Sequence, residues 1–159
     1  MKPGIFRRLI NLWPPFLGAG IKVKEISDDY SDFKVEMKLT RLNRNYVGTQ
    51  FGGSIYAMTD PFYMLILMKN LGNDYIVWDK AADIRFKLPG KGKLTAHFNI
   101  SKERIAEIKA EADTNYKAEP RFTVHVKDEK GNVVAEVDKV LYVRRKDSKK
   151  TPPQTPPKP

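Results

Sequence analysis

The residues best suited to chemistry form one short stretch and a single downstream carboxylate. The stretch runs from Asn45 to the pair Gly52-Gly53, and Asp60 follows inside an otherwise apolar segment. Glycines at the start of a helix let another molecule approach backbone N–H groups that have no partner in the first turn. An isolated carboxylate among apolar residues is costly to bury. Hydrogen-bond donors for an oxyanion, together with one acid that can act as a base, are the groups that catalyse acyl transfer.

Each of these residues also has a purely structural interpretation. A Gly-Gly pair is common in turns, and asparagine, as at position 45, is a frequent turn residue. Asp60 precedes Pro61, and this pair is a common helix opening, with aspartate as the N-cap and proline at the first helical position. The helix would then begin at Pro61 instead of Gly53. The spacing alone leaves both interpretations open.

The segment that carries Asp60 predicts one long helix over residues 53–70. Its residues are apolar nearly all round, which is typical of a helix buried on most sides, and Gly72 provides a C-terminal stop. Pro61 should kink this helix, because an internal proline loses a hydrogen bond and crowds the preceding turn.

Most of the remaining chain predicts strands, from alternation or from β-branched residues. The predicted strands are residues 21–27, 33–40, 75–80, 82–88, 92–101, 121–127 and 133–144.

Two further helices are predicted. Residues 3–12 form a short amphipathic helix that Pro14-Pro15 stops, and residues 102–119 form a helix with Ile105, Ile108 and Ala112 as its inner stripe. The order of elements predicts an α+β fold, in which a curved antiparallel sheet wraps around the long central helix. One small sheet does not cover such a helix fully, so a partner subunit is expected.

Length and composition favour one domain without disulfide or thiolate chemistry. The chain has 159 residues and no cysteine. We expect a single domain over residues 1–145 and a disordered, Pro/Lys-rich tail over residues 146–159. Pro14-Pro15 interrupts any signal-like apolar stretch, and no run is long enough to span a membrane, so a cytoplasmic location is expected.

The net charge of +10 favours an anionic partner. Coenzyme A is one candidate; nucleic acid is not expected, because no aromatic interleaving or known spacing for it is present. Arg85 and Lys87 belong to the densest basic zone, which is either a solvated strand face or a phosphate contact. His97 and His125 have no acidic neighbour at ligand spacing, so no metal site is expected.

The spacing of Asn45, Gly52-Gly53 and Asp60 and the order of the predicted elements resemble those of the hotdog-fold acyl-CoA thioesterases. The resemblance is to the phenylacetate-pathway-like enzymes and, more narrowly, to an uncharacterised branch known as a domain of unknown function. Their motif is an Asn, then His-Gly-Gly six residues on, then an Asp or Glu on the central helix. Asn45, Gly52-Gly53 and Asp60 keep this spacing, whereas Phe51 stands in place of the histidine.

The resemblance implies hydrolysis of an acyl-CoA or related thioester, with no cofactor beyond the coenzyme A of the substrate. The backbone N–H of Gly52 would polarise the carbonyl, Asp60 would act as general base or nucleophile, and Asn45 would orient water or the carbonyl. Predicted substrate contacts are Phe51, Gly53, Tyr63, Arg85 and Lys87; Tyr63 lines either an acyl pocket or the core.

Helix geometry adds a condition to this site. Asp60 lies eight residues beyond Gly52, or about 12 Å along one continuous helix, so the two could not act together within one chain. An antiparallel copy would have to supply the acid, which predicts a homodimer or a dimer of dimers with the site at the interface.

Two other classes of function stay open from the sequence. Phe51 cannot transfer a proton, which favours a non-catalytic protein of the same fold that binds acyl groups or coenzyme A. A third class is association with nucleic acid or a membrane surface through the net charge and the segment that contains Phe6, Trp13 and Phe16.

Overall fold

The computed structural model describes residues 1–147, and this part of the chain forms five helices and six strands. The helices are α1 (Pro3–Ile10), α2 (Pro14–Ala19), α3 (Gly52–Ala57), α4 (Phe62–Leu71) and α5 (Lys102–Thr114). The strands are β1 (Ile21–Ile26), β2 (Asp32–Lys38), β3 (Tyr75–Phe86), β4 (Lys93–Asn99), β5 (Arg121–Lys127) and β6 (Val133–Arg145). Residues 148–159, which hold most of the predicted tail, lie outside the described part.

The six strands form one antiparallel sheet in the order β1-β2-β4-β5-β6-β3. The alternating strand residues that face the helices are almost all apolar and buried, as on β2, where Phe33, Val35 and Met37 are inaccessible. Strand β3 lies at an edge and pairs only with β6 among the described strands. The predicted α+β sheet is confirmed. No helix within residues 1–147 is long and apolar enough to cross a membrane.

The prediction of one continuous helix over residues 53–70 is wrong, because the chain forms α3 and α4 with a turn at residues 58–61 between them. Pro61 is the N-cap of α4 and cannot donate a backbone hydrogen bond to the turn before it. The backbone N–H of Thr59 closes that turn by donating to the carbonyl of Tyr56 at 2.8 Å. The kink expected from Pro61 is therefore a full break, and Asp60 lies within it.

Helix α4 anchors the core through a cluster of aromatic rings. Phe62 is inaccessible, and its ring centroid lies 4.8 Å from that of Phe98, 5.6 Å from that of Phe33 and 5.9 Å from that of Phe16. These contacts join α2, β2 and β4 to the start of α4. Burial of such rings, and not helix propensity, fixes this ten-residue helix in place.

Strand β3 is one strand where the sequence predicts two, over residues 75–80 and 82–88. Its register against β6 shifts between Asp79, which pairs with Leu141, and Ala81, which pairs with Val140. Lys80 is thus an extra residue in a β-bulge, and the alternation of side chains changes phase there. This change of phase is why the sequence pattern looks like two strands.

The other elements agree with the sequence except at two places. Pro14 and Pro15 stop α1 as expected, but they also open the unpredicted helix α2. Helix α5 ends at Thr114 instead of residue 119, because Ala118 pairs with Val143 in a short bridge. The predicted inner stripe of α5 is confirmed, since its three residues are the buried ones of that helix.

We expect the substitution Phe62→Ala to lower the free energy of unfolding by about 3–5 kcal/mol, because it removes the ring that three other aromatic rings contact. Chemical denaturation measures this loss. Leu42→Ala is the control, since that side chain is almost fully exposed and should change stability by less than about 0.5 kcal/mol. Equal effects of the two substitutions would contradict the assigned core.

Candidate functional site

Asn45 orders the loop that leads into α3. Its Nδ2 donates to Oγ1 of Thr49 at 2.8 Å, and its Oδ1 accepts from the backbone N–H of Thr49 at 2.9 Å. Gly48 takes a φ of 82° in this turn, a conformation that glycine adopts at little cost. The loop therefore holds the Asn45 side chain in one orientation.

The glycine pair begins α3 and packs against two aromatic rings. A Cβ on Gly52 would lie 3.0 Å from Cζ of Phe86, and a Cβ on Gly53 would lie 2.5 Å from Cε1 of Phe51. The first intrahelical hydrogen bond runs from the N–H of Ser54 to the carbonyl of Phe51, at 2.9 Å. The N–H groups of the two glycines precede this bond, so the helix itself does not satisfy them.

A cleft of about 380 Å³ opens beside the start of α3. It brings together three of the predicted site residues, Asn45, Gly52 and Lys87, with Phe86 and Leu88 as part of an apolar wall. An acyl group can lie against such a wall while a carbonyl oxygen meets a first-turn N–H. Lys87 contributes positive charge to the same cleft.

Phe51 is turned away from this cleft. Its side chain is largely exposed and lines a separate groove of about 300 Å³ with Leu42, Arg44 and residues of α2. Gly53 lies beneath its ring and is not among the lining residues of the cleft beside Gly52. The structure therefore separates these two predicted substrate contacts from Asn45 and Lys87.

Asp60 is also separated from the cleft within one chain and contacts a buried lysine instead. Its Oδ1 lies 3.1 Å from Nζ of Lys139, and Oδ1 of Asp79 lies 3.3 Å from the same nitrogen. The Asp60 side chain is 48% exposed, whereas that of Lys139 is fully buried. Burial raises the pKa of the Asp79 carboxyl, and the Lys139 ammonium partly offsets this effect.

Arg85 is engaged by carboxylates on the opposite face of β3 from Phe86. Its Nη2 donates to Oε1 of Glu136 at 2.8 Å and to Oδ2 of Asp138 at 2.6 Å. The Arg85 guanidinium lowers the pKa of Glu136, and His125 adds to this effect. A phosphate contact by Arg85 would have to compete with these partners, while Lys87 remains in the cleft.

Tyr63 is a buried residue of α4. Its hydroxyl donates to the backbone carbonyl of Thr123 at 3.0 Å, and its ring stacks on Phe122 at 4.6 Å between centroids. Burial raises the pKa of this hydroxyl to about 12. The side chain thus joins α4 to β5, and its predicted contact with substrate stays a prediction.

Lys139 and Asp79 are not among the site residues predicted from the sequence. Lys139 stands in the same alternating phase of β6 as Val137 and Leu141, both of which are buried. A lysine in an apolar phase is the signal that could have found it. Asp79 gave no such signal, because the bulge at Lys80 hides the phase of β3.

No three His, Asp or Glu side chains within residues 1–147 are grouped closely enough to share a metal ion. The two histidines instead contact single carboxylates on the outer face of the sheet, His97 with Asp32 and His125 with Glu136.

The chain belongs to the family described as Domain of unknown function (DUF4442), which matches residues 3–143. Comparison with curated proteins finds no match.

Solved structures identify the fold as the hotdog fold. A Pseudomonas aeruginosa protein of unknown function, described as a probable thioesterase, is 22% identical with a TM-score of 0.80 over 91% of this chain and 97% of that one. A Haemophilus influenzae thioesterase is 14% identical with a TM-score of 0.66, covering 91% and 92%. The Escherichia coli protein PaaI, from the phenylacetic acid degradation operon, is 17% identical with a TM-score of 0.59, also covering 91% and 92%. At these identities the likeness shows the fold.

The high pKa of Tyr63 predicts a loss of stability in alkali. An unfolded tyrosine ionises near pH 10, while the native Tyr63 keeps its proton to about pH 12. Its contribution is therefore complete below about pH 10 and is lost as the pH rises to about 12. We expect Tyr63→Phe to make the fall in unfolding free energy across this range shallower than in the wild type.

Denaturation at pH 9, 10, 11 and 12 measures this slope. Tyr46→Phe is the control, because Tyr46 is fully exposed and should keep the wild-type slope. Parallel slopes for the wild type and Tyr63→Phe would show that the Tyr63 hydroxyl is not buried as described.

Proposed function

We propose that the protein is a thioesterase that hydrolyses an acyl-CoA or a related acyl thioester at a site shared by two subunits. The observation that carries this proposal is the cleft beside the start of α3, which Asn45, Gly52 and Lys87 line together. Solved proteins of the same fold that are described as thioesterases support it.

Gly52 would supply the oxyanion donor. Because α3 has only six residues, the donor is the unpaired amide itself and not a long helix dipole. The absence of a Cβ lets the ring of Phe86 pack directly against Gly52. Removing one such donor from an acyl-transfer site costs about 3–4 kcal/mol in the barrier.

Asp60 of a second subunit would supply the base. Its carboxylate takes a proton from water as the water oxygen attacks the thioester carbonyl, and the oxyanion forms at the N–H of Gly52. The carbon–sulfur bond then breaks and the proton passes to the departing thiolate. A positioned base contributes roughly 10²–10⁴-fold in rate. In the alternative route the Asp60 carboxylate attacks the carbonyl itself, the carbon–sulfur bond breaks and the thiolate leaves. Water then hydrolyses the mixed anhydride, which regenerates the Asp60 carboxylate and releases the acid, and the thiolate takes up the proton set free.

The edge strand β3 supports pairing with a second copy. It has twelve residues, and its side away from β6 has no partner strand in residues 1–147. Phe86, at the end of this strand, and Leu88, two residues beyond it, are half exposed apolar side chains beside the cleft. Long edges of this kind invite pairing between chains. A homodimer or a dimer of dimers formed here would cover them.

Lys87 would hold an anionic group of coenzyme A, since it lines the cleft, whereas the guanidinium of Arg85 already has carboxylate partners. Phe51, in place of the histidine of similar thioesterases, removes one group able to move protons. This substitution favours a second candidate function, in which the protein binds acyl groups or coenzyme A without hydrolysing them.

A subunit-complementation experiment tests the shared site. Asp60→Asn removes the base and Gly52→Val fills the space beside the amide, so each homodimer should lose at least 100-fold in turnover of acyl-CoA. When the two variants are co-expressed with different tags and the mixed dimer is purified, one site keeps both Gly52 and Asp60. We expect about half of the wild-type rate.

The control is Glu25→Gln, which removes an exposed carboxylate on β1 that pairs with Lys34 and should leave turnover within about twofold of wild type. Circular dichroism establishes that each variant is folded. No recovery in the mixed dimer would place both groups in one subunit. Substrate binding without thiol release by the wild type would establish the non-catalytic alternative.

A further inference from the structure

Lys139 is a fully buried charge on the inner face of the sheet. Its neighbours in the same phase of β6, Val137 and Leu141, are apolar and inaccessible. A lone ammonium in such surroundings costs several kcal/mol, so a fold keeps it only with partners of opposite charge. A methionine or leucine would satisfy packing at this position without that cost.

The partners of Lys139 come from two other parts of the chain. Asp60 lies in the turn between α3 and α4, and Asp79 lies just before the bulge of β3. Their Oδ1 atoms lie 3.1 Å and 3.3 Å from Nζ. The ring of Tyr56 lies 5.4 Å from the same nitrogen and adds a cation–π contact.

The two carboxylates differ in their access to solvent. The Asp79 side chain is 19% exposed and is the inner partner, whereas Asp60 is the outer one. Asp60, the more exposed of the two acids, is therefore the one that can reach solvent or a ligand.

We propose that Lys139 is a positioning residue for Asp60 in the thioesterase reaction, and that Asp79 holds Lys139 in place. The ammonium binds Oδ1 of Asp60 and leaves Oδ2 free to take a proton from water or to attack a thioester. This inference rests on the proposed role of Asp60. Without Lys139, the carboxylate would rotate in a turn that is half open to solvent.

The central experiment is Lys139→Met, which keeps the length of the side chain and removes its charge. We expect kcat to fall 10- to 100-fold while KM stays within about threefold, because the substrate does not touch Lys139. Lys139→Arg should retain more activity than Lys139→Met. Lys34→Met is the matched control: it removes an exposed lysine on β2 that pairs with Glu25, and kcat should stay within about twofold.

Asp79→Asn provides a second, milder variant if Lys139→Met does not fold. It removes the inner carboxylate but leaves Lys139 paired with Asp60, so kcat should fall less than in Lys139→Met. A loss of unfolding free energy in Lys139→Met with unchanged kcat in the folded protein would overturn the proposal. A larger loss of kcat in Asp79→Asn than in Lys139→Met would also overturn it.

A readout that needs no turnover separates this inference from the proposed function. The carboxyl carbon of Asp79 can be followed by NMR as the pH changes. Lys139 lowers and Asp60 raises the pKa of Asp79 in the wild type, so Lys139→Met should move the Asp79 midpoint to higher pH and Asp60→Asn should move it to lower pH. If both shifts occur but the wild type hydrolyses no thioester, the proposed function fails and the charge cluster stands. If neither shift occurs, the cluster itself is wrong.

Discussion

The buried ammonium of Lys139 constrains how three parts of this fold meet. A charge cannot remain in an apolar layer without partners, so β6, the bulged half of β3 and the turn between α3 and α4 must come together around it. The break of the central helix thereby acquires a tertiary anchor. The same contact places a half-exposed acid at a fixed point on the surface, where a second subunit or a ligand can meet it.

The glycine pair imposes the second constraint, through the absence of side chains. Phe86 packs against Gly52 and Phe51 packs against Gly53, so each aromatic ring occupies the space that a side chain would need at one of the two glycines. Within one chain, Gly52 lines the cleft and Asp60 lies in the turn before α4, outside the residues that line it. Under the proposed function, an assembly of two subunits would bring these two residues together.

The local sequence pattern was sufficient to predict most helices and strands of the fold and part of the candidate site. The alternation in residues 121–127 and the stripe of Ile105, Ile108 and Ala112 depend on burial of one face, which sequence periodicity records directly. Pro61 predicted that the helix over residues 53–70 would be distorted. Whether a proline kinks a helix or breaks it depends on tertiary contacts such as that between Asp60 and Lys139. Arg85 looked available for phosphate because its carboxylate partners come from β6, 51 and 53 residues away. Such pairings follow from strand register, which the sequence does not display.

The single extra residue in β3 decides which relatives can share this arrangement. Before Lys80 the odd-numbered residues of the strand face the helices, and after it the even-numbered residues do, as the pairing of Ala82 with Lys139 shows. A homologue with the same number of residues in this strand but a regular ladder would point its counterpart of Asp79 at solvent and bring its counterpart of Trp78 inside. The bulge, more than the identity of any acid, would then mark the evolutionary boundary of the lysine-centred group.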